Sequence, residues 1–258
     1  MHPQDLLKKI SPWFPHFDDF TINGLQLEGD RLIRSILFSV SISEHLIDYA
    51  IANNFDAIFV HHGYFGKKFF CFQRTEASKL RKLCRAGISV FAYHLPLDGQ
   101  EEFGHNAVIS REIGLTDCVR QSCGFVGKNS LKLTCTQIAE KLNTFFGEEN
   151  YKITVTSESK FGPKSIGNSL LWQSQEVPEK IFVCSGGSGN AAESVFGDCQ
   201  LFILGEISEY HPINSLENGL GLLVLGHWRS EQAGIWAIQK KFDEMDFKTE
   251  YLKVENVI

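Results

Sequence analysis

Asp56-Ala57-Ile58-Phe59-Val60-His61-His62-Gly63 is the stretch on which the reading of this chain turns. Its apolar, β-branched and aromatic residues read as a buried strand, and Gly63 closes that strand on two adjacent imidazoles. An open α/β sheet places its ligand-binding groups just past the carboxyl ends of its strands. Two more apolar runs end the same way. Ile88 to Tyr93 leads into His94-Leu95-Pro96-Leu97-Asp98, and Leu220 to Leu225 leads into Gly226-His227-Trp228-Arg229-Ser230-Glu231. These strand ends deliver His61, His62, His94, Asp98, His227 and Glu231, a nitrogen and oxygen donor set suited to zinc, iron, manganese, cobalt or nickel without any thiolate. Neighbouring residues of an extended chain point to opposite sides, so His61 and His62 serve two ions more readily than one. Each residue alone also has a plain structural reading: a hydrogen-bonded core histidine, a turn acid, a first-turn helix acid. Their common placement is what favours metal binding.

Outward from this stretch the pattern is α/β. The first half predicts strand Ile33–Val40, helix Ser43–Asn53, strand Ala57–His61, helix Thr75–Ala86, strand Ile88–Tyr93 and a helix around Asn106–Gly114. The second half predicts strand Lys180–Cys184, helix Asn190–Phe196, strand Gln200–Leu204, a helix around Pro212–Asn218, strand Gly221–Leu225 and helix Ser230–Met245. At an offset of about 145 residues Ile36-Leu37-Phe38 falls on Ile181-Phe182-Val183 and Ile58-Phe59-Val60 on Phe202-Ile203-Leu204, the register of an internal duplication. Glu206 then falls opposite His62, and His227 opposite His94 or a neighbour. The expected lobes are 1–124 and 125–258, joined near Gly124-Phe125-Val126-Gly127, with a metal site in the cleft where the corresponding strand ends meet. Thr136–Gly147 reads as a helix, Tyr151–Ser157 as a strand, and Lys160–Lys164 as a turn.

With 258 residues, 43% of them hydrophobic, the chain has enough apolar material for a substantial core. Its net charge of −6 and the lack of a Lys/Arg-rich block argue against a nucleic-acid groove. The apolar runs fall short of a membrane span, no signal-type segment opens the chain, and the seven scattered cysteines form no CxxC pair. The expected compartment is therefore the cytoplasm. Twenty-one phenylalanines point to aromatic surface buried between subunits.

A competing signal is Gly187-Ser188-Gly189-Asn190-Ala191-Ala192 with Glu206 about twenty positions on, which meets the outline of a dinucleotide-binding turn. The helix it would open is short, and the histidines stay unexplained. A cradle for phosphate or carboxylate at a helix start is the better reading. Cys184-Ser185-Gly186 comes with no partner arrangement for nucleophilic catalysis.

Taken together, these segments resemble the GTP cyclohydrolase 1 type 2 homologs, also called Nif-three-like proteins. The resemblance is carried by Asn23-Gly24-Leu25-Gln26-Leu27-Glu28-Gly29, Val60-His61-His62-Gly63-Tyr64-Phe65, His94-Leu95-Pro96-Leu97-Asp98, Gly104-His105-Asn106-Ala107, Cys184-Ser185-Gly186-Gly187, Gly205-Glu206-Ile207-Ser208 and Gly226-His227 with Glu231. It implies a three-layer α/β/α fold of two similar lobes without an inserted domain. It implies a ring-like homohexamer and a dinuclear site ligated by His61, His62, Asp98, His227 and Glu231. Two departures stand out: Trp228 replaces a second histidine found in many members, which would narrow or dry the cleft, and Ser39-Val40-Ser41 lies where an aspartate is common.

The activity so implied is that of a metal-dependent hydrolase acting on a small nucleotide-like substrate through a metal-activated water. Glu206 and His94 are then the candidates for orienting ligands or moving protons. The alternative is a metal-binding interaction or regulatory protein without turnover.

Overall fold

The computed structural model describes residues 1–64, 72–147, 162–172, 176–188, 191 and 197–254. The expected strand Tyr151–Ser157, the start of the turn Lys160–Lys164, most of the helix Asn190–Phe196 and the middle of the glycine-rich stretch lie outside the described residues. The chain divides into two compact units. One holds Met1–Gln100 and the C-terminal stretch from Ile235, and the other holds Glu101–Gly234.

The first unit is built on a five-stranded sheet of β1 (Gly24–Leu27), β2 (Ser35–Ser41), β3 (Ala57–His62), β4 (Ser89–Ala92) and β12 (Lys248–Tyr251), in the order β1-β4-β3-β2-β12. Only β1 runs antiparallel to its neighbour. Its helices are α1 (Pro3–Ile10), α2 (Glu44–Ala52), α3 (Arg74–Ala86), the single turn α4 (Leu95–Asp98) and the C-terminal part of α9 (Gln232–Asp243). Ser43 caps α2 by accepting the Leu46 amide at 3.1 Å, and Gly87 ends α3 in the left-handed conformation.

Because parallel strands are covered on both faces, they read as unbroken apolar runs. The ladder row Leu37, Ile58, Val90 faces α2 and α3, in a core with Leu46, Ile47, Ala50 and Leu83. The next row, Phe38, Phe59, Phe91, faces the other side, where Phe242 of α9 sits 5.4 Å from the Phe38 ring and 5.9 Å from the Phe59 ring. Helix, sheet, helix is thus the layering of this unit.

The second unit has a seven-stranded sheet ordered β5-β6-β9-β10-β11-β8-β7. Its strands are β5 (Thr116–Gln121), β6 (Gly124–Lys128), β7 (Lys164–Ile166), β8 (Ser169–Trp172), β9 (Lys180–Cys184), β10 (Leu201–Leu204) and β11 (Gly221–Val224), with β9, β10 and β11 parallel. Helix α5 (His105–Glu112) packs on β6 and β9, and α6 (Cys135–Phe146), opened by a Thr134/Gln137 capping box, packs on β8. Two further helices, α7 (His211–Glu217) and the single turn α8 (His227–Ser230), follow β10 and β11.

The row Phe182, Phe202, Leu222 belongs to a core with Trp172, Leu204 and Leu220. This row corresponds to Leu37, Ile58, Val90, which is the register expected of the duplication: three sequential parallel strands in each unit, with equivalent residues facing a core. By the same count Glu206 matches His62, and His227 matches Leu95, next to His94.

Three sequence expectations change. Gly124-Phe125-Val126-Gly127 is no junction but strand β6, inside the second sheet. A Cβ on Gly124 would meet the Phe182 ring at 2.7 Å, so the glycine answers to strand packing. The units also depart from 1–124 and 125–258, because β12 pairs with β2 and returns the C-terminal stretch to the first unit. Finally, the helix expected over Ser230–Met245 starts at Gln232 as α9, and a separate single turn, α8, precedes it. Ser230 Oγ donates to the His227 carbonyl at 2.8 Å and accepts the Gly186 amide at 3.1 Å, and Glu231 lies at the break.

Among the described residues no helix is long and apolar enough to cross a membrane. The aromatic layer makes a direct prediction. Phe242 is fully buried, so Phe242→Ala should cost about 3–5 kcal/mol and lower the urea midpoint of unfolding accordingly.

Candidate metal centre

In the first unit His61, His62, His94 and Asp98 come together at the ends of β3 and β4. His61 is 1% exposed, and its Nδ1 donates to the Tyr93 carbonyl at 2.9 Å. A carbonyl only accepts, so the neutral ring carries its proton on Nδ1 and its lone pair on Nε2. That Nε2 lies 3.6 Å from Asp98 Oδ2. Asp98 is itself buried, presented by the turn α4, in which the Leu97 and Asp98 amides both reach the His94 carbonyl. Pro96 stiffens this turn.

His62 pairs its Nδ1 with Ser41 Oγ at 2.9 Å, and its ring centroid is 4.5 Å from that of His61. Ser41, which stands near the position where an aspartate was expected, thus orients His62 by a hydroxyl. Ser39 instead donates to the Leu252 carbonyl and ties β2 to the chain beyond β12. The Tyr64 amide after the histidine pair donates to Gln26 Oε1 of β1 at 2.7 Å, which explains one polar residue in that edge strand.

His94 is held by Asp19, whose two oxygens lie 3.0 and 3.1 Å from Nδ1. Burial, with the neighbouring His61 acting in the same direction, pushes His94 down to about 4 against the opposing pull of Asp19. The ring is therefore neutral at physiological pH. For Asp19 burial acts upward, but hydrogen bonds from Asn23, His94 and the Leu95 amide outweigh it and hold the carboxyl below its usual range.

In the second unit His227 lies beside two carboxylates, Glu231 and Glu206. His227 Nε2 is 3.1 Å from Glu231 Oε1, one helical turn on, and Nδ1 is 2.7 Å from Glu206 Oε2. The hydrogen bond to Glu231, opposed by burial and reinforced by Glu206, pushes His227 up to about 9. Gly186 has φ +65°, and a Cβ there would sit 2.3 Å from Glu231 Oε1. The left-handed glycine is what lets the backbone after β9 pass beside this buried carboxylate. Trp228 is 4% exposed, a buried side chain of α8.

Several residues of the quoted motifs also bond to the backbone. His105 accepts the Gly234 amide on Nδ1 at 3.0 Å. Asn106 accepts the Ser185 amide at 2.6 Å and donates to the Cys123 carbonyl at 2.8 Å, which anchors the end of β9. Ser188 Oγ donates to the Cys184 carbonyl, so the described part of the glycine-rich stretch is closed on itself. Asp19 and Ser41 were missed by sequence reasoning. Asp19 lies 75 residues from His94, and no local pattern joins them.

The model of the Duf34/NIF3 (NGG1p interacting factor 3) family matches residues 2–258. The chain belongs to this family. Among Duf34/NIF3 relatives, a “GTP cyclohydrolase 1 type 2 homolog” of Haemophilus influenzae is 32% identical over 250 residues, covering 93% of this chain and 92% of the relative. A relative of the same name in Escherichia coli is 29% identical and covers 92% of this chain and 91% of its own length. A solved structure described as “protein ybgI, unknown function” superposes with a TM-score of 0.82 at 26% identity over 100% of both chains. A crystal structure from Thermus thermophilus gives 0.81 at 25% identity, again over 100% of both.

The carboxylate clamp on this Duf34/NIF3 histidine makes a pH prediction. The folded value for His227 lies above the ordinary 6.5, so its stabilising contribution is complete below pH 6.5 and is lost as pH rises through about 9. Urea unfolding of chelator-treated protein should show this decline between those limits. In Glu231→Gln, which removes the first cause of the shift, the decline should shrink and move to lower pH.

Proposed function

We propose that this protein binds two divalent ions through His61, His62, Asp98, His227 and Glu231, and hydrolyses a small nucleotide-like substrate. The observation that carries this reading is the buried pair at β3. His61 Nε2 and Asp98 Oδ2 lie 3.6 Å apart and both are buried, a separation at which a nitrogen and a carboxylate oxygen can ligate one cation. The clamp on His227 supports it from the second unit, because a ring that attracts a proton so strongly offers a cation the same electrostatic well. When bound, such ions supply Lewis acidity and a lowered pKa for a coordinated water, suited to an amide-like, purine-ring or phosphoester bond. The protein's own work is positional. Tyr93, Ser41 and Glu206 orient the rings, and Glu206 holds and passes protons.

Metal identity follows availability, since histidine and carboxylate donors take zinc, iron, manganese, cobalt or nickel. Protein prepared without chelator should carry about two divalent ions per chain. It should hydrolyse GTP or another purine nucleotide, and His62→Ala should abolish turnover. Absence of stoichiometric metal at neutral pH would sink the reading. Metal-replete protein inert toward nucleotides would favour the interaction or regulatory role, which the family description “NGG1p interacting factor 3” also names.

Assembly belongs to the same proposal: a closed homohexamer in the cytoplasm. Phe20 is 64% exposed, Ile22 57%, Val119 65% and Leu131 61%, apolar surface of the kind a symmetric oligomer covers. Light scattering at micromolar concentration should give six times the chain mass, and a monodisperse monomer would remove the ring.

A further inference from the structure

One ring nitrogen from each of His61, His62 and His94 lies within 4.8 Å of the other two, and all three residues belong to the first unit. The rings are braced from behind in the same manner. Nδ1 of His61 has the Tyr93 carbonyl, Nδ1 of His62 has Ser41 Oγ, and Nδ1 of His94 has the Asp19 carboxylate. An oxygen behind Nδ1 fixes the ring and directs Nε2 forward, which is how proteins present imidazoles to a cation.

The brace behind His94 is the strongest of the three. Asp19, 5% exposed, also accepts from the Thr21 amide at 3.3 Å, Asn23 Nδ2 at 3.0 Å and the Leu95 amide at 3.1 Å. Asn23 Oδ1 in turn accepts the His94 amide at 2.7 Å, and the Phe20 ring packs edge-on against the imidazole at 4.8 Å. A carboxylate behind the ring makes it a better electron donor to a metal.

Building on the two-ion reading above, we infer that His94 is itself a metal ligand, and that His61, His62 and His94 form a three-imidazole site able to hold one divalent ion without His227 or Glu231. Asp19 is its positioning residue. Three histidines leave an open position on a four-coordinate ion. The first unit therefore loads its ion independently of the second.

The test uses the full chain carrying His227→Ala and Glu231→Ala together, titrated with cobalt(II) and zinc(II). One ion per chain should remain. Adding His94→Ala should weaken its binding by about 100-fold and change the visible absorption of the cobalt form, because a nitrogen donor is lost. Asp19→Asn, which keeps an acceptor behind the ring but removes its charge, should weaken binding by about 10-fold and leave the absorption unchanged. Circular dichroism checks folding, and His94→Gln, which can still donate to Asp19, stands in if the alanine variant misfolds. A retained ion whose affinity and spectrum ignore His94 would overturn the inference, and so would a double variant that binds no ion. Wild-type protein that binds no metal would instead overturn the two-ion reading itself.

Discussion

The hydrogen bond from His61 Nδ1 to the Tyr93 carbonyl is the constraint on which the arrangement in the first unit rests. It exists because β3 and β4 run parallel with Val60 beside Ala92, which leaves the next residues, His61 and Tyr93, side by side. The Tyr93 amide extends that ladder to the Val60 carbonyl at 3.2 Å. A slip of one residue would turn His61 into the layer now filled by Ile58 and Val60, and would exchange the faces of every residue in the strand. Strand register thereby determines the proton position on an imidazole.

Two histidine environments of opposite sense follow from this fold. His94 is half-buried beside other imidazoles, and desolvation drives it toward the neutral form. His227 sits between two carboxylates that hold it in the charged form. Both suit a cation, but for different reasons. The neutral rings have lone pairs already in place, whereas at His227 an arriving ion displaces a proton and inherits the negative field of Glu231 and Glu206. The two groups should consequently differ in how strongly pH governs their loading.

Several residues of the sequence motifs serve the backbone rather than the site. Asn106 and Ser230 hold the backbone after β9 by single hydrogen bonds, and Gly186 lets that backbone pass beside Glu231. Ser41 serves where a carboxylate was anticipated, so His62 has a weaker brace than His94. Seen this way, the imidazoles of the first unit form a graded series set by what stands behind them: a carbonyl, a hydroxyl and a carboxylate.

Local pattern was enough to locate the parallel strands β2, β3, β4, β9, β10 and β11, because strands buried on both faces are written as continuous apolar runs with turn residues at their ends. The same runs pointed to His61, His62, His94, Asp98, His227 and Glu231 as strand-end residues. The edge strands β1, β5 and β7 and the short strand β8 carry no comparable signal, and β12 was illegible because its place beside β2 depends on residues more than two hundred positions away. Asp19 was hidden for the same reason: hydrogen bonding across a long loop leaves no periodicity. Sequence alone therefore determined which residues stand at strand ends and which donor chemistry they bring. Only tertiary structure decided which oxygen stands behind each imidazole, and with it the ring nitrogen left to face a cation, because those partners meet through folding rather than through spacing along the chain.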